Sequence, residues 1–116
     1  MKKDETEDMR ELFEAQVARL QEIHFLILLW ATQTEGESLK YNITNVFDDL
    51  KSARITRTKQ TAGAAVSVLL SLCFIDLRDE HNRKNIYITK YGGKALRAIL
   101  DKETFKMKPS AFLEGK

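Results

Sequence analysis

The side chains of this 116-residue sequence best equipped to grip another molecule fall in two short runs. The first is Arg54-Ile55-Thr56-Arg57-Thr58-Lys59-Gln60-Thr61, followed by Gly63, Ala64 and Ser67. Guanidinium and ammonium groups hold phosphates by charge, while hydroxyls and amides hydrogen-bond to phosphates or base edges. The short side chains that follow let a helix backbone come close to a groove wall. The second run is Arg78-Asp79-Glu80-His81-Asn82-Arg83-Lys84, where His81, Arg83 and Lys84 sit in a polar tip with Arg78 at its base. Two cationic runs separated by an apolar stretch suit a polyanion touched at two places.

Other chemistry finds little support. No nucleophile–base set, phosphate loop or carboxylate pair stands out, so the chain does not read as an enzyme. His24 lies in an oily helix and reads as a core or interface histidine. Cys73, on an apolar helix face, reads as a buried structural thiol. No His/Cys/acid spacing suggests a metal, and nothing calls for a cofactor.

Charge is distributed unevenly around a net of +2. Residues 1–50 hold 5 Lys/Arg and 11 Asp/Glu, whereas residues 51–97 hold 10 Lys/Arg against Asp76, Asp79 and Glu80. The basic segment thus carries a net of +7 and the acidic one −6, which suits a polyanion for the first and another task for the second. The longest apolar run, Phe25 to Ala31, is too short to span a bilayer. The start, Met1-Lys2-Lys3-Asp4-Glu5, is unlike a signal peptide, and one cysteine allows no intrachain disulfide. A cytoplasmic, DNA-associated location is expected, with no membrane partner.

These runs need elements to position them. Met9, Phe13, Gln16, Leu20, Ile23, Ile27 and Trp30 repeat at spacings of 4 and 3, which predicts one long helix ending near Gly36, with a bend near Gln21 to His24 left open. Its first half has one oily stripe, so Met9, Phe13, Val17 and Leu20 are expected at a homodimer seam. Ser38 to Tyr41 reads as extended. Asn42 caps a helix with Ile43, Val46, Phe47 and Leu50 on one face. Thr58 or Thr56 caps the next, which ends near Cys73 with Ala62, Val66, Leu69 and Cys73 inward. Phe74–Arg78 and Asn85–Thr89 alternate as a hairpin. Thr89 then caps a final helix burying Ala95, Leu96, Ile99 and Leu100. Residues 102–116 form a tail with oily spots for docking on the body or a partner. The expected class is mainly α with a small β-hairpin, in one domain. Residues 4–35 are its N-terminal helical segment and residues 38–101 a winged helix-turn-helix.

The segment Val66 to Leu100 resembles the second half of MarR-like winged-helix transcription regulators. "LLSLCFIDLRDEHNRKNIYITKYGGKAL" follows their order of helix end, strand, wing, strand and helix. Asp79, Asn82 and Arg83 stand where that family's wing carries Asp-x-x-Asp-Arg, with Asn82 replacing an acid. Thr89 and Gly92 match its Thr-x-x-Gly. The sequence departs from the pattern in a longer connection from Leu50 to Thr58, and in Cys73 where a glycine usually ends the helix. The long C-terminal dimerisation helix is not seen either, which shifts dimerisation to residues 5–30.

The resemblance implies a homodimer on double-stranded DNA, acting as a transcriptional repressor. A recognition helix at 58–73 would enter the major groove and a wing at 75–89 would hold the backbone. Half-sites would lie about one helical turn, ~10 bp, apart or a multiple of it. On this reading Gln60, Thr61 and Ser67 face bases, with Gly63 and Ala64 permitting close approach. Arg57, Lys59, Arg83 and Lys84 mainly hold phosphates, with Thr56 and Thr58 at the helix mouth, and Arg54, Arg78 at the wing's base and His81 at its tip complete the DNA-binding set. Two alternatives stay open: a plasmid or phage DNA-partition adaptor, and a winged-helix protein-interaction module. The sequence does not fix a small-molecule effector.

Overall fold

The computed structural model describes residues 5–115. The N-terminal stripe does not form one helix. It divides into α1 (Glu5–Ala18) and α2 (Glu22–Gly36). The cause is a cap that heptad spacing cannot reveal. The backbone N–H of Gln21 donates to Nδ1 of His24 at 2.9 Å, and Gln21 takes the extended geometry of an N-cap. The break lets Val17 and Leu20 turn into the chain's own core, where each is buried.

From Phe25 to Ala31 every residue of α2 is buried, so this helix forms the axis of the core. Helices α3 (Ile43–Ser52), α4 (Lys59–Ser71) and α5 (Lys90–Lys102), with the hairpin β1 (Ile75–Glu80) and β2 (Arg83–Ile88), gather around it. Asn42 caps α3 by accepting from the N–H of Asn45, and Asn45 returns the bond. Val46 and Leu50 then point inward. Ser38 to Tyr41 is not a strand. Ser38 is left-handed (φ 57°) and terminates α2, and only Asn42 forms an isolated antiparallel bridge, to Asn85.

Helices α2, α3 and α4 end alike, each on a left-handed non-glycine residue: Ser38, Arg54 and Cys73. At Cys73 the N–H of Phe74 reaches back to the Leu69 carbonyl and the N–H of Cys73 to that of Leu70. This doubly bonded termination places Cys73 in the position usually taken by glycine. It also turns the thiol outward, so Cys73 is exposed and not a buried structural residue. Gly92 is needed where it stands, because a Cβ there would lie 1.9 Å from the Phe74 carbonyl oxygen. Helix α5 therefore starts hard against the end of α4, with the Thr89 hydroxyl donating to the Cys73 carbonyl at 2.6 Å. Leu100, expected inside α5, is 37% exposed because Ile99 takes the inward position.

The tail docks on its own body. Trp30 Nε1–H donates to the Lys108 carbonyl at 2.8 Å. A short helix, α6 (Ala111–Glu114), packs against α3. Both are fastened by Asp49, a buried carboxylate that accepts from Tyr41 Oη, Ser110 Oγ and the N–H of Phe112.

Candidate nucleic-acid interface

The first cationic run wraps the mouth of α4. Thr58 is its N-cap, accepting from the N–H of Thr61 at 3.2 Å and donating to the Thr61 hydroxyl at 2.8 Å. Thr56 Oγ1 in turn accepts from the N–H of Thr58 at 3.2 Å. The hydroxyls of this mouth thus order the loop first, and the N–H groups of Lys59 and Gln60 lie in the open first turn. No acid occupies that turn, so its positive end suits an outside anion.

Beside the mouth, Lys51, Arg54, Ile55, Thr56 and Arg57 line a cleft of about 1040 Å³. The left-handed turn at Arg54 (φ 62°) brings three cations from the end of α3 and the connection to one opening. The longer Leu50–Thr58 connection is what supplies Arg54 and Arg57. Lys51, not singled out from the sequence, completes the set. Its place inside the basic connection was the available signal.

Along α4, Gln60, Thr61, Ala64 and Ser67 are exposed and Gly63 is half-buried. Lys59 Nζ sits 5.9 Å from the centre of the Phe47 ring, which holds it near the mouth. Ser67 stands exposed on the same face as Gln60 and Ala64, about two turns further along. It also lines, with Gln16, Arg19, Leu20, Val68, Ser71 and Leu72, a mainly apolar cleft of about 390 Å³ where α1 ends against α4.

The hairpin is longer and its turn tighter than the alternation suggested. The strands run through to Glu80 and Arg83, leaving His81 and Asn82 as a two-residue tip, both left-handed (φ 51° and 64°). A turn with positive φ at both central residues matches the twist of the strands, and Asn tolerates it well. His81, Arg83 and Lys84 are exposed. Arg83 and Lys84 share a cleft of about 510 Å³ with Asn82 and with Asn42, Ile43, Thr44 and Asn45 at the start of α3. The wing's cations are therefore set beside a helix N-terminus, a juxtaposition that no local sequence pattern encodes.

A brace missed by sequence reading holds this wing. Glu80 Oε1 accepts from Tyr87 Oη at 2.6 Å and from Asn85 Nδ2 at 2.8 Å, with Lys40 Nζ at 3.5 Å. The two hydrogen bonds, Tyr87 first, push the Glu80 carboxyl down to about 2. Lys40 donates to Tyr87 Oη at 2.9 Å, and that bond, with the Glu80 charge, raises the Lys40 ammonium above its ordinary value. Arg78 stacks its guanidinium 4.1 Å from the centre of the Tyr87 ring and reaches Asp76 at 3.5 Å. Arg78 is thus tied to the hairpin, while Arg83 and Lys84 extend beyond the brace. Asn85 and Tyr87 share one strand face, which was the only hint in the sequence.

Of the residues expected at a dimer seam, Met9 is 68% exposed, Phe13 packs edge-on against Phe74 at 5.9 Å, and Val17 and Leu20 are buried in their own core. Leu12, 60% exposed, joins Met9. Among the described residues no helix is long and apolar enough to cross a membrane, and no three His, Cys, Asp or Glu residues converge as a metal site.

A helix pair, a third helix, a two-stranded wing and a closing helix make up a small winged-helix domain. The crystal structure of AF1382 from Archaeoglobus fulgidus is similar to it, with a TM-score of 0.56 at 14% identity, covering 77% of this chain and 96% of that one. The crystal structure of SSV1 F-93 gives 0.50 at 14% identity, over 76% and 97%. At such identity the likeness is one of fold. No family model matches the chain and no curated protein matches it in sequence, so what these comparisons show is the fold.

Proposed function

We propose that this protein is a homodimeric double-stranded DNA-binding protein that represses transcription by occupying its site, with no catalytic step of its own. The observation that carries the reading is the cleft of Lys51, Arg54 and Arg57 opening beside the mouth of α4. Phosphates would settle there and on the first-turn N–H groups of Lys59 and Gln60, with Thr58 ordering the turn. Gln60 and Thr61 would face base edges, and Gly63 with Ala64 would let the helix lie close to the groove. Arg83 and Lys84 on the braced wing would hold flanking backbone, with His81 at the tip. In that role the protein works on DNA in the cytoplasm. The dimer is supported by Met9 and Leu12, which stand exposed on an arm of a molecule 55 Å long and only 30 × 27 Å across.

A labelled-duplex titration over a salt series tests this. Arg83→Ala with Lys84→Ala is expected to weaken binding on every sequence and to lower the salt slope by about 2. Unchanged affinity and slope would remove the wing from the interface. Exposed Val68 and Leu70 on α4 favour a second reading, docking of another protein. Failure of the wild-type protein to hold to heparin at moderate salt would select it.

A further inference from the structure

One flank of α1 stands away from its own body and leads into a cleft. At about 100° per residue, Glu5, Met9, Leu12 and Gln16 fall within one side of the helix. Phe13 and Val17 occupy the neighbouring side and hold α1 to its own core. Met9 and Leu12 are largely exposed. Gln16, with Arg19 and Leu20, lines the cleft of about 390 Å³ that α1 shares with Ser67, Val68, Ser71 and Leu72 of α4. Met9 and Leu12 precede Gln16 by two turns and one turn, so strip and cleft form one continuous surface. Its apolar members are Met9, Leu12, Leu20, Val68 and Leu72.

The strip carries opposite charges at its two ends. Glu5 opens α1, Arg19 follows its last residue, and both are exposed. They stand about 21 Å apart along the axis at 1.5 Å per residue. Asp8 lies at the edge of the strip, and the contact does not draw on it. An acid at one end, a base at the other and apolar groups between make the strip complementary to itself turned end for end. In an antiparallel pair Leu12, midway between Glu5 and Arg19, falls on the two-fold axis. Glu5 of each copy then faces Arg19 of the other. Met9 lies one turn inside Glu5, beside Gln16 at the opening of the other copy's cleft.

We infer that two copies pair through α1 in antiparallel fashion. Leu12 meets Leu12 on the axis, Met9 of each copy enters the cleft between α1 and α4 of the other, and Glu5 pairs with Arg19 at both ends. The contact rests on the homodimer proposed above and names the surface that makes it. The mouth of α4 stays open, because Ser67 at the cleft lies about two turns beyond Gln60.

Disulfide trapping tests the geometry, in a Cys73→Ser background so that the exposed native thiol takes no part. Leu12→Cys should cross-link into a covalent dimer under mild oxidation, because a residue on the axis faces its own copy. Glu5→Cys should not, since its two copies lie at opposite ends of the pair. Glu5→Cys combined with Arg19→Cys should cross-link again. The dimer dissociation constant from sedimentation equilibrium gives a second readout. Leu12→Glu sets two carboxylates against each other and should raise it roughly 10-fold or more. Glu5→Arg and Arg19→Glu should each raise it about 5-fold, and the protein carrying both should recover most of the loss. Glu5→Cys cross-linking as readily as Leu12→Cys, or a dimer indifferent to Leu12→Glu, overturns the contact and leaves the DNA reading standing. A wild-type protein monomeric at all concentrations overturns the contact and the dimer together. A protein that dimerises in this way but holds no duplex removes the DNA reading and upholds the contact.

Discussion

The two ends of the chain treat their apolar residues in opposite ways. The C-terminal tail is fixed by buried polar bonds: Tyr41, Ser110 and the Phe112 N–H all converge on Asp49, and Trp30 holds the Lys108 carbonyl. Phe105 and Phe112 lie against Phe25 and Tyr41, at 5.7 and 5.5 Å between ring centres. The N-terminal arm makes aromatic contact through Phe13 and leaves Met9 and Leu12 in water. An apolar residue absorbed within the chain stabilises the monomer. One left outside on a charged helix is available to a partner. The tail therefore belongs to the fold, while the arm carries the surface given to the proposed dimer, although both read as oily segments.

Breaking the tail should have the largest effect. Asp49→Ala leaves the Tyr41 and Ser110 hydroxyls buried without an acceptor, and unpaired buried donors cost about 1–3 kcal/mol each. A loss of about 3 kcal/mol in urea unfolding is expected, with protease cutting first between residues 103 and 110. A variant that unfolds as one unit with wild-type cleavage would show that the tail is held by its aromatic contacts instead. Trp30→Phe is smaller. It leaves the Lys108 carbonyl without its donor and opens a small cavity at a fully buried site, together about 2 kcal/mol.

Asp49 also shows where sequence reading stops. The pattern of α3 was legible because Asn42, Val46 and Leu50 act within one helix. Asp48-Asp49 looks like a solvated pair, and the partners that bury Asp49 lie 61 and 63 residues downstream. The wing was legible as alternation, but its brace joins Glu80 to Lys40 across the fold. The cations of α4's mouth were legible by type. Their convergence was not, because it depends on a left-handed Arg54. The long helix breaks at the bend left open near Gln21 to His24, for a related reason. Spacing across Leu20 to Ile23 is continuous, yet a backbone–imidazole bond ends one helix and starts another.

That bond makes the arm's junction sensitive to acid, which sharpens the contrast between the two ends. His24 must stay unprotonated at Nδ1 to accept from Gln21, and burial lowers its imidazole below the ordinary 6.5. The unfolded chain then binds the proton more readily, so this contribution is complete above about pH 6.5 and is lost as pH falls through the lower folded value. The Glu80 brace, with its carboxyl at about 2, is unaffected in that range. His24→Gln supplies an acceptor that does not titrate. Its melting temperature should gain on that of the wild type between pH 7 and pH 5, and a constant difference would exclude His24 as the cause.

The smallest effect on stability should come from the arm's apolar residues. Met9→Ser with Leu12→Ser removes side chains that are 68% and 60% exposed, so monomer unfolding should change by no more than about 0.5 kcal/mol. Self-association should weaken, because the same side chains stand exposed on the arm given to the proposed dimer. The informative quantity is the ratio of the two effects. Asp49→Ala should shift unfolding with the arm's association intact. The double serine variant should weaken association, measured by dilution of the dimer, with unfolding of the dissociated chain unchanged. If the serine variant instead loses as much monomer stability as a core substitution, the arm is packed on its own body, and the division between the two ends does not hold.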